Sequence, residues 1–443
     1  KPDMVAPGVS ICSGRAEEAT IPVGTACGSG THSNGNGMYM ALSGSSQATA
    51  VAGGSVSLIR EFIREDVGIS SPSAALLKAA AINGATDQGA PDIPNDREGW
   101  GQISVSNSVM PMYNGNALTT YHDNSRTLAA GFSTLYQFDL DPTSGVDITL
   151  VWTDLAGSAN APQGESRLVN DLDLKLTSPD GTTYKGNVFS NGFSIPNGVH
   201  DSVNNVERIK LEPSALLPSG KWQLTVNHAG GLDQSYALVV TADATLDEKA
   251  DLVAFDGSIF PSSESPLVND LITIRISWLN QGTSDAGEFR VILEDLTEGT
   301  TLYDGTRQTL EAGLIDSLTL YHTFTSTGDH EMRLTVDSES NVDEINDELT
   351  GVDNNVETMT ITVSALGVRL VTLDASGNED TNMVNQTLDP TTAEGYTWPV
   401  VLKHEGTGQE VVKLQLSQVQ KPNPLRDDLL LPTEDDWSRS SDL

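Results

Sequence analysis

Over 443 residues the chain carries 61 acidic against 24 basic side chains, a formal net charge of −37, which argues against nucleic acid or an anionic membrane surface as a partner. The length is too great for one compact domain, and the 37% hydrophobic content is enough for folded cores. Aromatic residues are scarce at 5% while Gly, Ser, Thr and Asp abound, a composition of short strands and many turns.

The chain opens on Lys1 without an initiator Met and closes on DDWSRSSDL, and it reads as an internal piece of a longer protein. No apolar run approaches the ~18 residues of a membrane-spanning helix.

From Lys1 to about Met112 strand and helix alternate. ALSGSSQATAVAGG (41–54) could be a linker, a tightly packed helix or the seat of a nucleophile. It runs directly into VSLIREFI, where Val56, Ile59 and Ile63 share one helical face, so it reads as a helix start rather than a linker. Gly53 and Gly54 would allow close approach of a neighbouring backbone. SAALLKAAAING reads as a second helix, with Ser71 as N-cap, Pro72 at the first helical position and Gly84 as the stop. A serine at a helix N-terminus feels the positive end of the dipole, and the free N–H groups there can hold a developing oxyanion.

Beyond residue 113 the helical period disappears. VDITLVWTD (146–154), DLDLKLTSP (171–179), KWQLTVNHA (221–229) and YALVVTAD (236–243) read as strands of an antiparallel sandwich. After the polar stretch ADATLDEKAD (242–251) a second β unit holds LITIRISWLN (271–280), EFRVILEDL (288–296), SLTLYHTFT (317–325), HEMRLTVD (330–337) and ETMTITVSA (357–365). A third unit begins near Leu366. ISWLNQGTSDAGEFRVIL and PVVLKHEGTGQEVVKLQL share a strand, a Gly-Thr turn and a second strand, a weak tandem repeat.

KPDMVAPGVSI (1–11) followed by YMALSGSSQATAVAGG (39–54) resembles the last third of the subtilisin-family catalytic domain. There a Lys-Pro-Asp-x-x-Ala-Pro-Gly strand precedes Gly-Thr-Ser-Met-Ala-(Ala/Thr)-Pro-x-x-Ala-Gly. Gly44 stands two before Ser46, Ala48 two after, Thr49 three after and Gly54 eight after, a register that makes Ser46 the nucleophile. Departures are Ser45 for Thr, Gln47 for Met, Ala50 for Pro and Gly53 for Ala; GWG (99–101) matches the family's domain end. The family works with an Asp-His-Ser triad in that chain order. The one histidine before Ser46, His32, lies in the Gly-rich CGSGTHSNGNG loop, so the resemblance implies a triad Asp and His upstream of Lys1 and an inactive fragment.

Cys12 and Cys27 flank an insertion between the matched strand and the nucleophile loop, and in an exported protein they read as a disulfide. LVWTD, RLVNDLDLKLTSPDGTTYKGN and NNVERIKL resemble the β domain that follows the catalytic unit in long alkaline subtilisin-like proteases, a relative of the kexin-type P domain. Asn170, Asp171 and Asp173 offer the hard oxygens that calcium requires, with Asp171 and Asp173 on one strand face; the resembling β domains bind calcium. Residues 246–365 resemble a CARDB-type Ig-like module through VDSESNVDEINDELTGVDNNVE, whose Asp337, Asp343, Glu344, Asp347 and Asp353 read as an acidic loop.

The expectation is a multidomain chain. Residues 1–112 are the C-terminal part of an α/β subtilisin-like domain, 113–245 a P-domain-like, jelly-roll-like β-sandwich, 246–365 a CARDB/Ig-like sandwich and 366–443 an incomplete Ig-like module. The function implied is secreted or cell-surface serine endopeptidase, with Ser46 as nucleophile, structural calcium at Asp171 and Asp173, and protein or peptide substrates. The competing reading is a surface adhesion or scaffold protein with an inactive protease-like domain.

Overall fold

In the computed structural model, residues 2–18, 27–89, 92–160, 162, 166–345, 354–364, 368–372 and 400–404 are described. The chain divides into two units, one of Lys1–Glu264, Leu271–His322 and Asp329–Ile361, the other of Ser265–Asp270, Thr323–Gly328 and Thr362–Leu443.

In the first unit, β1 (Ile11–Gly14) pairs antiparallel with β2 (Tyr39–Leu42), and a tight turn leads into α1 (Ser45–Glu65). The helix buries Ile59 and Ile63, with Val56 and Phe62 packed beside them, the face read from the three-and-four spacing. α2 (Ala74–Asn83) starts two residues later than the sequence suggests: the Ser73 hydroxyl accepts from Leu76 N at 3.0 Å and caps it. Ser71 and Pro72 lie in the approach, where Asn124 holds the backbone through Ser71 O and Ser73 N. Gly84 is the C-cap, as expected. A short α3 (Val105–Val109) and the small ribbon β3 (Met112–Tyr113) and β4 (Asn116–Ala117) complete this part. The opening residues are held against the GWG segment by Trp100 N–Asp3 O (2.9 Å), Val5 N–Gly101 O (3.0 Å) and Ile103 N–Val5 O (2.9 Å).

An eight-stranded antiparallel sheet follows: β5 (Thr119–Leu128), β6 (Ser133–Trp152), β7 (Asp171–Thr177), β8 (Thr183–Ser190), β9 (Phe193–Pro196), β10 (Val206–Leu211), β11 (Gly220–Gly230) and β12 (Gln234–Asp247). β12 runs along one edge of the long β6. The other edge is shared, Ser133–Leu140 pairing with β11 and Val146–Val151 with β10. One curled sheet therefore encloses a single core that includes Tyr136, Phe138, Trp152 and Trp222. Burying each such aromatic contributes on the order of 2–3 kcal/mol.

The strands at the centre are apolar on both faces. Leu150, Trp152, Leu238 and Val240 face the inner core, while Val151, Val206, Ala237 and Val239 pack outward against Ile59, Ile63, Trp100 and the alanines of α2. The helical segment and the β domain thus share a second core. Its polar seam is buried Asn83, whose Nδ2 donates to Asp147 O (3.0 Å) and Thr149 Oγ1 (3.2 Å) and whose Oδ1 accepts from Thr241 Oγ1 (2.8 Å).

The next module has two four-stranded sheets. One contains β13 (Leu252–Val253), β14 (Ile259–Pro261), β15 (Leu271–Asn280) and β18 (Ile315–Thr323); the other runs β17 (Thr300–Arg307), β16 (Phe289–Asp295), β19 (Gly328–Val336) and β20 (Val356–Val363). Alternation buries Ile272, Ile274, Ile276 and Trp278 from one sheet and Val291, Leu293, Met332 and Leu334 from the other. In the second unit β21 (Val368–Thr372) pairs antiparallel with β22 (Val400–His404). Asp347, Asp353 and most of the second repeat copy lie outside the described residues.

Candidate active site and cation-binding cluster

Ser46 is the second residue of α1 and is exposed. Gly44 caps the helix without a side chain, and its carbonyl accepts from both Gln47 N and Ala48 N at 3.2 Å. The N–H groups of Ser45 and Ser46 find no acceptor among the described residues. No acidic side chain occupies the first turn, so no carboxylate of the helix itself offsets the positive end of the 21-residue helix at Ser46. An exposed hydroxyl beside uncapped N–H groups at a helix start is the arrangement that nucleophilic attack and oxyanion binding need.

The KPDMVAPG segment holds this turn in place. Gly44 N donates to Gly8 O at 2.8 Å, and Ser10 N donates to Ser43 Oγ at 2.8 Å. A Cβ at position 8 would stand 2.8 Å from Gly44 O and 3.0 Å from the Ala48 Cβ, so glycine is what lets the segment lie against the helix start. Gly53 and Gly54 differ from expectation. A Cβ at either would meet nothing within 4 Å among the described residues, so no close backbone approach requires them here.

His32 is committed elsewhere, its Nε2 bonded to Arg15 O at 2.8 Å and its N to Asn36 O at 2.7 Å. The Cys12–Cys27 disulfide is present and ties the same insertion to β1.

Asp171 and Asp173 lie on the face of β7 opposite Leu172, Leu174 and Leu176, which fill the core. Two acidic residues distant in sequence join them: the pair shares its field with Asp201 and with Glu207, which is fully buried. Glu207 Oε2 accepts from Leu174 N at 2.6 Å, while Glu207 Oε1 and Asp171 Oδ1 are buried without a hydrogen-bond partner among the described residues. Gly186 leaves the space that Glu207 needs, since a Cβ there would overlap its carboxylate. His200 Nδ1 approaches Asp173 Oδ1 at 3.1 Å. Burial, reinforced by Asp173 and Asp201, raises both the Asp171 and the Glu207 carboxyls, Glu207 well above the ordinary range. Orphaned buried carboxylate oxygens suit a hard divalent cation.

Asn170, grouped with these aspartates in the sequence, turns away. Its Nδ2 donates to Gln234 Oε1 (2.6 Å) and its Oδ1 accepts from Leu232 N (2.7 Å), a role in loop packing. Among the described residues one carboxylate triple lies close-set, Asp87, Asp92 and Glu98, and the sequence reading missed it. Asp87 Oδ2 accepts from Asp92 N, and Glu98 accepts from Gln88 N and Asn95 Nδ2, so these groups chiefly brace their own turn.

The subtilase family (Peptidase S8) matches residues 1–101, and CARDB matches residues 249–359. A serine protease/ABC transporter B family protein, tagA, of Dictyostelium discoideum is 32% identical over 264 residues, covering 54% of this chain and 14% of that protein. The related tagD of the same organism is 27% identical over 278 residues, again 14% of its length. The chain thus spans a small part of these relatives. A solved CARDB domain of Pyrococcus furiosus is 26% identical and covers 26% of this chain and 90% of its own, with a TM-score of 0.22. By these matches residues 1–101 form a subtilase-family segment and residues 249–359 a CARDB segment.

Proposed function

We propose that this chain is part of a secreted or cell-surface serine endopeptidase in which Ser46 is the nucleophile. The observation that carries the reading is the exposed Ser46 hydroxyl beside uncapped N–H groups at the start of α1. Ser46 Oγ attacks a peptide carbonyl, and a histidine upstream of Lys1 takes its proton. The Ser46 N–H and a further donor upstream hold the oxyanion until the amine leaves with the proton that the histidine returns. Water, deprotonated by the same histidine, then releases the acyl group and Ser46 regains its proton. The β modules place this site near protein substrates, in keeping with the acidic, self-repelling surface. No helix among the described residues is long and apolar enough to cross a membrane. In the complete protein, Ser46→Ala should lower peptide turnover by about a millionfold. Unchanged turnover would refute the assignment, and a complete protein with no turnover at all favours the scaffold alternative.

The proposal extends to a structural calcium ion held by Asp171 and Asp173, with Glu207 and Asp201 completing the acidic wall. The orphaned Asp171 and Glu207 oxygens support it. A bound cation would offset both the burial and the mutual repulsion that raise these carboxyls, and would favour their charged forms.

A further inference from the structure

Of the two contacts that tie residues 8–10 to the turn before α1, one runs to a side chain instead of the backbone and the other is out of register with the strand pair it extends. β1 and β2 pair Ile11 with Leu42, so a regular ladder would next set Ser10 against Ser43 and Val9 against Gly44. Instead Ser10 N donates to the side chain of Ser43, and Gly44 N reaches past Val9 to the carbonyl of Gly8. One extra residue on the first strand is accommodated at this point, and Val9 is thrown outward, 80% exposed. Ser10 holds the left-handed backbone conformation, φ 54°, that such a bulge normally assigns to glycine. A serine held there is a strained feature beside a candidate site, and the Ser43 hydroxyl is the group that receives its N–H.

We infer that Ser10 and Ser43 form a positioning pair whose bulge aims the Ser46 hydroxyl and N–H group. This rests on the reading of Ser46 as nucleophile. The pair touches no reacting atom. It fixes where the extended chain ends at Gly44, two residues before Ser46, and where α1 begins at Ser45. Without the Ser43 acceptor, the bulge has no side-chain anchor on the second strand, and the helix start is free to settle into the regular register. A shift of that kind rotates the hydroxyl relative to the oxyanion donors while leaving the Ile59 and Ile63 packing of α1 intact.

The test uses the complete protein and follows both fluorophosphonate labelling at Ser46 and peptide hydrolysis. Ser43→Ala should slow labelling and lower kcat by about ten- to a hundredfold, with KM changed by less than about twofold, because misaimed groups act on the reacting geometry. Ser43→Thr keeps the acceptor and should restore most of the rate. Ser43→Cys keeps the volume with a weak acceptor and should stay slow, which guards against a fold defect peculiar to alanine. Ser10→Gly relieves the left-handed strain, keeps the N–H and should label at the wild-type rate. Wild-type rates for Ser43→Ala, or equal slowing in Ser43→Ala and Ser43→Thr, would overturn the inference. Failure of the wild-type protein to label would instead overturn the nucleophile assignment itself.

Discussion

Arg208 and Asp147 form a two-pronged ion pair in the seam between α2 and the β domain, Nε to Oδ1 at 2.7 Å and Nη2 to Oδ2 at 2.5 Å. Arg208 is 1% exposed, its Nη2 also donates to Asn83 O at 3.1 Å, and its guanidinium lies 5.9 Å from the Trp100 ring centre. Three stretches far apart in sequence therefore meet on one charged side chain.

Removing one partner strands the other in a dry setting. Asp147→Ala or Arg208→Ala should each destabilise the chain by about 3–5 kcal/mol. Urea unfolding reads this directly, and the double variant should cost much less than the sum of the two. Additive losses would show that the pair is not coupled.

Calcium should raise the melting temperature. At a concentration a hundredfold above its dissociation constant, a cation bound only by the folded state adds about 2.7 kcal/mol. Asp171→Asn with Asp173→Asn should abolish the gain. Equal melting in chelator and in millimolar calcium would remove the site.

The CARDB segment should lose stability as the pH rises. Burial pushes the Glu344 carboxyl up to about 7, with Asp251 and Asp337 adding to the effect and hydrogen bonds from Leu252 N (2.7 Å) and Asn355 Nδ2 (3.0 Å) opposing it. Between the unfolded value near 4.5 and about 7 the folded state holds the extra proton. Its contribution is therefore complete below about 4.5 and lost by about 7. Melting curves from pH 4.5 to 8 should fall across that window, and Glu344→Gln should flatten the fall. An identical profile in the variant would contradict the assignment.

Reduction of the Cys12–Cys27 bond should destabilise its neighbourhood by about 3 kcal/mol, the chain-entropy value for a loop of this size, the sequence separation being 15. Peptide mass mapping without reductant should recover the linked pair; two free thiols would refute it.

What was legible in the sequence follows the range of the interactions. Period-two alternation marked β7, β11, β15 and β19 because each has one face in a core, and three-and-four spacing marked Ile59 and Ile63. The α2 cap was misplaced by two residues because Ser71 and Ser73 are equivalent as sequence, and only Asn124, 51 positions from Ser73, decides how the approach is held. Local register alone singles out Ser46 as the candidate nucleophile. Glu207 was not associated with Asp171 and Asp173, since nothing near it signals that β10 will deliver its carboxylate to Leu174 N, 33 residues away. The shared core was hidden for the same reason: YALVV is apolar on both faces, but the partner of the outward face lies in α2.

The central claim is that Ser46 is a nucleophile, and its most direct test is site-mapped labelling of the complete protein with a fluorophosphonate. The account predicts one covalent adduct on the peptide carrying Ser46, lost in Ser46→Ala and retained in Ser45→Ala. The 443-residue chain alone should stay unlabelled, since no base reaches the Ser46 hydroxyl among its described residues. An unlabelled Ser46 in the complete, folded protein, or an adduct that survives Ser46→Ala, would contradict it.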